Sequence, residues 1–356
     1  MQIPAKAGIH AATFSAVDKW VSAVVGTLSD NILAMLEIVS LTKKFGPLVA
    51  VDDVSLTVPR GEVLGFLGPN GAGKSTTMKM VTGFLAPSAG TAIVCGHDIL
   101  KRPLKAKRQL GYLPEGAPAY PDMSAAEFLD FVAHIRGFRG AEARKRIAQI
   151  AELIHIADLM HQPIETLSKG YRRRVGVAQA LLHDPPVVIL DEPTDGLDPN
   201  QKHEMRGIIR AMQAEKAIVI STHLLDEVEA VCSRAVIIAQ GRVRADGAPA
   251  ELAARSPYHN AVRLVLPTAG DPGIAGELAA LRGVRSVERA SDSEGEGWWV
   301  FPRDKRAILG EVAELVRQRG WMVSGLRAER GRLDDVFRTI TLPPPAAAAE
   351  PQRTAA

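Results

Sequence analysis

The sequence predicts an α/β fold with a core of parallel strands buried on both faces. Two stretches carry that prediction. Residues 62–67 hold a short apolar run, Val63, Leu64, Phe66 and Leu67, that reads as a buried strand. It is followed by Gly68-Pro69-Asn70-Gly71-Ala72-Gly73-Lys74-Ser75 and a helix start over residues 74–81. A second apolar run, Val187-Val188-Ile189-Leu190, ends in Asp191-Glu192 and reads as a doubly buried parallel strand.

The glycines at 68, 71 and 73 let the backbone wrap a phosphate with its N–H groups, and the helix that follows adds positive potential at its N-terminus. Asn70 and Thr76 belong to the same cradle. Lys74 is placed to reach the outer phosphates of a nucleotide and Ser75 to bind Mg²⁺. Strand, glycine loop and helix in that order make a chance lysine in a glycine-rich turn a poor reading. ATP and Mg²⁺ are the expected ligands.

The Asp191-Glu192 pair closes the site. It falls at the C-terminal end of a strand, where open α/β sheets bind ligands. Adjacent strand residues point to opposite sides, so the two carboxylates divide the work. Asp191 is assigned to Mg²⁺, and Glu192 to orienting or deprotonating the attacking water. Phosphoryl transfer is mainly positioning and charge stabilisation, so a metal, a lysine and one base suffice.

The segment from about residue 35 to residue 252 resembles the nucleotide-binding subunit of an ABC transporter, with every motif in family order. Residues 68–76 match the Walker A loop, and residues 187–192 match Walker B. Glu115, in Gly111-Tyr112-Leu113-Pro114-Glu115, falls at the Q-loop position, where the resemblance implies an approach to Mg²⁺. Leu167-Ser168-Lys169-Gly170-Tyr171 matches the signature element, Asp195-Gly196-Leu197-Asp198 the D-loop, and His223 the switch histidine that contacts the γ-phosphate. Phe45 matches the aromatic residue that stacks on adenine; by position alone it reads equally as a core side chain. The resemblance further implies that Ser168 and Gly170 reach the γ-phosphate held by a second subunit. One chain carries one copy of each element, so the expected unit is a homodimer or heterodimer of nucleotide-binding subunits.

Two motifs depart from the family pattern, the Q-loop at Glu115 and the signature, which reads Leu-Ser-Lys-Gly-Tyr rather than Leu-Ser-Gly-Gly-Gln. Glutamate replaces the usual glutamine at 115, adding charge and removing an amide donor. The signature carries Lys169 where the family has glycine, a cation that faces either phosphate or solvent. Together these features resemble type-2 exporters of the gliding-motility and drug-resistance kind. Arg172-Arg173-Arg174 oppose the dipole of the helix they begin, so they pair with surface carboxylates or lie near phosphate or a dimer interface. The cationic run at 101–108 reads as a solvated helix face, with a membrane or partner contact as the alternative.

Composition fits this picture. The 356 residues are 46% hydrophobic, enough for two domains with sizeable cores. A formal net charge of +3 gives no reason to expect a nucleic-acid partner. Cys95 and Cys232 fit no metal spacing and read as buried thiols of a reducing compartment. No stretch approaches ~18 consecutive apolar residues. Transport therefore calls for a separate integral membrane permease, with this chain on the cytoplasmic face of a bacterial inner membrane. The alternative is a soluble, non-transport ABC ATPase acting on a protein complex.

Four regions follow. Residues 1–34 read as a non-native or disordered extension, with the natural start expected at Met35. Residues 35–255 form the nucleotide-binding domain: an antiparallel β subdomain over 36–59, the P-loop ABC ATPase core, and a helical subdomain over about 116–170. There Ser124-Ala125-Ala126-Glu127 reads as a capping box that turns Phe128, Leu129, Phe131 and Val132 toward a core. Residues 260–340 form a small C-terminal α+β accessory domain. Its β-α-β-β-α-β order, with helices over 273–281 and 304–319 and a closing strand over 321–326, predicts a ferredoxin-like fold. Of Trp298 and Trp299, one is expected in the core and the other on the surface. Residues 341–356 read as a disordered Pro/Ala tail.

Overall fold

Alternating apolar residues near the start fold as two long antiparallel strands, β1 (Ala34–Phe45) and β2 (Leu48–Pro59). The computed structural model describes residues 34–117, 119–267, 272–292 and 295–341. The extension before residue 34, the tail from 342 and the turn at 293–294 lie outside them. With β4 (Ala89–Val94) and β5 (His97–Asp98), β1 and β2 make a four-stranded sheet ordered β2-β1-β4-β5.

A second, six-stranded sheet is built from the apolar runs. Its strands are β3 (Val63–Leu67), β6 (Leu110–Leu113), β7 (Val187–Asp191), β8 (Ala217–Thr222), β9 (Arg234–Ala239) and β10 (Arg242–Gly247). The order is β10-β9-β3-β8-β7-β6, parallel except for the β9–β10 hairpin. The interior strands β3, β7 and β8 are buried along their whole length because both faces are covered. Leu64, Phe66, Val187, Ile189 and Val219 pack toward the antiparallel sheet and helix α1 (Lys74–Val81). Val63, Val188, Leu190, Ile218 and Ile220 pack toward the helical side.

Chain order continues with α2 (Pro103–Arg108), a short helix before β6. The helical side comprises α3 (Ala125–Ile135), α4 (Gly140–Leu153), α5 (Lys169–Leu181) and α6 (Pro199–Gln213). Ser124 caps α3 as its sequence predicts: its hydroxyl accepts the Glu127 N–H at 3.2 Å, and its own N–H donates to Glu127 Oε2 at 2.8 Å. Phe128, Leu129 and Val132 enter the core, but Phe131 does not. It stays exposed and lines a groove described below. Helix α7 (Leu225–Val231) follows β8, and α8 (Pro249–Ala253) leads out of the core. Cys95 and Cys232 are free thiols, half-buried rather than buried.

The C-terminal region runs β11 (Val262–Val265), α9 (Pro272–Ala279), β12 (Val284–Asp292), β13 (Gly295–Pro302), α10 (Leu309–Arg319) and β14 (Gly325–Ala328). The sheet is antiparallel throughout, ordered β12-β13-β11-β14, which is the ferredoxin-like arrangement. The second helix and the last strand differ most from expectation. Residues 303–305 form a separate 3₁₀ turn with Asp304 at φ 54, so α10 starts later than predicted. The last strand is shifted toward the C-terminus, with Trp321 and Val323 packing on the core before it begins. Neither tryptophan is a surface residue. Trp298 packs with the helix-covered core, while Trp299 is buried on the opposite face among Tyr258, Phe301 and the guanidinium groups of Arg263 and Arg332. A final helix, α11 (Leu333–Thr341), returns to the six-stranded sheet and seats Leu333, Phe337 and Ile340 against Leu67, Val228 and Ile237.

One half-buried histidine links α5 to the strand β6. His183, after α5, bonds to the Leu110 carbonyl at 3.1 Å through Nε2, so Nε2 carries the proton and the buried Nδ1 has no partner. Burial pushes its pKa down to about 4, with Arg136 nearby adding to the effect. The folded chain therefore refuses a proton that the unfolded chain accepts from about pH 6.5 downward. Its contribution to stability is complete above that pH and is lost as pH falls toward 4. His183→Gln, which keeps a donor for Leu110 and does not titrate, should reduce the loss of stability between pH 7 and pH 5 by about 1–2 kcal/mol. Urea unfolding at the two pH values measures it; an unchanged difference would contradict the assignment.

Candidate active site

Strand register gathers the site. β8 lies between β3 and β7, with Leu67 opposite Thr222 and Asp191 opposite Ser221. The loop after β3, His223 after β8 and the Asp191-Glu192 end of β7 thus emerge side by side at the C-terminal edge. β6 is next in order and delivers Glu115. A cleft of about 290 Å³ there is lined by Asn70, Gly71, Gly73, Lys74, Ser75 and Thr76, with Ala50, Glu115 and Glu192.

Close approach explains the loop glycines. Gly73 adopts φ 105, and a Cβ there would lie 2.6 Å from the Ala50 carbonyl oxygen. At Gly68 a Cβ would lie 2.5 Å from the carbonyl oxygen of Ile238. The first intrahelical bond of α1 runs from the Thr77 N–H to the Gly73 carbonyl, so the N–H groups of residues 74–76 have no partner within the helix. That row of donors, with the exposed and sterically free Gly71, fits a phosphate chain.

Lys74 is buried, and its ammonium donates to the Gly68 carbonyl at 2.7 Å and that of Pro69 at 3.3 Å. Burial lowers its pKa, while Glu192, Asp191 and Glu115 pull the other way. Asp191 is fully buried; its Oδ1 accepts the Ser75 hydroxyl at 3.4 Å, and its Oδ2 has no partner. A buried carboxylate oxygen without a donor, beside a serine hydroxyl, fits a divalent cation.

Glu192 departs from the expected geometry. Its φ is 50, so the chain leaves the extended conformation at this residue. Asp191 and Glu192 have different partners, but both face the phosphate loop instead of opposite sides. The Glu192 carboxylate lies 3.9 Å from Lys74 Nζ, and both of its oxygens lie 3.0 Å from His223 Nδ1. A non-glycine residue at positive φ costs about 1–3 kcal/mol and is held only where surroundings enforce it. Here the Glu192 N–H donates to the Ser221 carbonyl at 2.8 Å, and its own carbonyl accepts from the buried Arg173 guanidinium.

Sequence reasoning singled out Arg173 but missed its role, which is to hold backbone carbonyls. Arg173 also donates to the carbonyls of Asp191 at 3.3 Å and Pro193 at 3.4 Å, so it serves neither a surface carboxylate nor phosphate. Its neighbour Arg174 pairs with Glu204. The signal was available: Arg173 lies three residues after Gly170 and four before Val177, on the buried stripe of α5.

The remaining candidates lie outside the cleft. Ser168 caps α5, accepting the Tyr171 N–H at 3.3 Å. Gly170 is buried under the Gln201 side chain. Lys169 lies on the solvent side of the helix, more than half exposed, with its ammonium paired with Asp195 at 3.0 Å. Phe45 is 47% exposed at the end of β1 with the Lys43 ammonium 5.1 Å from its ring centre, which removes the core reading. Among the described residues, no cluster of His, Cys, Asp and Glu is arranged to hold a metal unaided.

Comparison with known proteins agrees with this geometry. A family model described as "ABC transporter" matches residues 51–195. The chain is 33% identical over 312 residues to the Nod factor export ATP-binding protein I of Ralstonia nicotianae, covering 86% of this chain and 94% of the relative. It is 35% identical over 222 residues to the linearmycin resistance ATP-binding protein LnrL of Bacillus subtilis, covering 62% of this chain and 71% of the relative. A solved ATP-binding subunit of an ABC transporter superposes with a TM-score of 0.58 at 31% identity, over 62% of this chain and 92% of its own. This chain therefore belongs to the ABC transporter family of ATP-binding, ATP-hydrolysing proteins.

Proposed function

We propose that this chain is the motor subunit of an ABC exporter, hydrolysing Mg²⁺-bound ATP in a head-to-tail dimer docked on a separate membrane permease. One observation carries the chemical part: the Glu192 carboxylate stands between Lys74 and His223 at the mouth of the glycine cradle. Glu192 there orients and deprotonates the attacking water, and His223 holds that carboxylate in place. Lys74 releases the Gly68 and Pro69 carbonyls to meet the outer phosphates. Ser75 and Asp191, with Glu115 at the rim, would hold Mg²⁺, which supplies charge stabilisation as phosphate is transferred. Phe45 offers its exposed ring to adenine. Ser168, exposed at the start of α5 and away from its own cradle, is placed to meet the nucleotide of a second subunit.

Partnership with a permease is supported by a groove of about 870 Å³ between the core and the helical side. Phe84, Leu104, Phe131 and Ile135 line it while exposed to solvent, and Lys107 and Arg136 stand at its rim. A surface of this kind marks an interaction site, and a helix from a cytoplasmic loop of the permease is the occupant we assign. Among the described residues, no helix is long and apolar enough to cross a membrane. Export is supported by the printed functions of the relatives, Nod factor export and linearmycin resistance. The location that follows is the cytoplasmic face of the membrane, held through the permease.

Glu192→Gln should retain ATP binding, accumulate as an ATP-dependent dimer, and lose turnover by about 10²- to 10⁴-fold. Near-normal turnover would remove Glu192 from the base role. Lys74→Ala should instead weaken nucleotide binding by about 10- to 100-fold, the range for a hydrogen bond to a charged group. Leu104→Asp, at a 74% exposed position, should leave the isolated chain's ATPase intact and abolish co-purification with a membrane partner. Co-purification with soluble proteins alone, in both the parent and the variant, would refute the transport reading.

A further inference from the structure

The helix that begins at Ser168 grips the segment leaving the catalytic strand in two places. Deep in the core, Arg173 holds the carbonyls of residues 191–193. At the surface, Lys169 Nζ donates to Asp195 Oδ2 at 3.0 Å. The end of the lysine side chain lies against Gly196, whose φ of 68 favours glycine. The next residue of the helix, Gly170, is covered by Gln201, whose N–H donates to Asp198 at 2.9 Å to start α6. The loop from Glu192 to Gln201 is thus held along its length by the first two turns of α5. The Asp195 carboxyl lies below the usual carboxylate range, mainly through its hydrogen bond from Lys169, with Arg173 and His223 assisting.

We propose that Lys169 is a positioning residue that couples the two ATP sites, holding the Glu192–Asp195 loop of one site in register with the signature segment presented to the other. The inference rests on the dimer reading above. A glycine at 169 has no side chain to reach Asp195, so the link belongs to the lysine variant. Both partners are half-exposed, and an exposed ion pair contributes little to stability. Its consequence therefore lies in a coupling free energy between the two sites rather than in the stability of the chain.

A double-mutant cycle on the full chain tests this: Lys169→Ala, Asp195→Ala and both together, with Lys169→Arg as the conservative control. Steady-state ATPase is measured across ATP concentration. Lys169→Ala should lower kcat by about two- to fivefold, the range an exposed pair supports, with KM for ATP changed by less than about twofold. The Hill coefficient should fall toward one. The double variant should be no worse than either single variant, and Lys169→Arg should retain the parent's behaviour. In a Glu192→Gln background, Lys169→Ala should raise the ATP concentration needed for half-maximal dimerisation. A raised KM with additive effects of the two substitutions would place Lys169 on the partner's phosphate and overturn the proposal. An unchanged kcat, Hill coefficient and dimerisation would overturn it equally. Failure of Glu192→Gln alone to dimerise with ATP would instead refute the two-site reading itself.

Discussion

Burial of the six-stranded sheet on both faces is the constraint from which the site follows. Parallel strands need both faces covered, and the parallel neighbours here end at the same edge. With β8 between β3 and β7, the glycine cradle, His223 and the Asp191-Glu192 pair are adjacent without any contact having to bring them together. The antiparallel sheet and α1 on one face and the helical side on the other supply the burial that holds the strands rigid. Active groups placed on such an edge inherit that rigidity, as positioning chemistry requires.

Within that frame the decisive local feature is the positive φ at Glu192. An extended residue there would turn its carboxylate away from its neighbour's side. The twist brings both acids to the phosphate loop while leaving them different partners, Ser75 for Asp191 and His223 for Glu192. Two fixtures hold the twist: the Ser221 carbonyl takes the N–H, and Arg173 takes the carbonyl. A buried guanidinium spent on three backbone oxygens is costly unless they need fixing, and these are the oxygens of the catalytic turn.

Much of this was legible from residue order. Short apolar runs ending in glycines or acids identify buried parallel strands and their functional ends. The strand–helix alternation after residue 260 gives the ferredoxin-like order, which the observed register reproduces. What sequence did not yield was contact across the chain. Periodicity places Arg173 on a buried stripe but does not say that its partners are carbonyls roughly one helix and one strand away. Phe131 satisfies the apolar period of α3 yet faces a groove, because period cannot distinguish a covered face from one awaiting a partner. The same limit applies to Lys169, whose choice of Asp195 depends on how the loop after β7 folds back.

The most direct measurement is a structure of the full chain with Mg²⁺ and a non-hydrolysable ATP analogue. Two nucleotides should lie at the interface of two subunits, each with its phosphates in residues 68–76 of one chain and its γ-position facing Ser168 of the other. Glu192 and His223 should bracket the space where water attacks. A nucleotide bound in the same loop of a single chain, with Ser168 open to solvent at saturating analogue, would contradict the two-site machine.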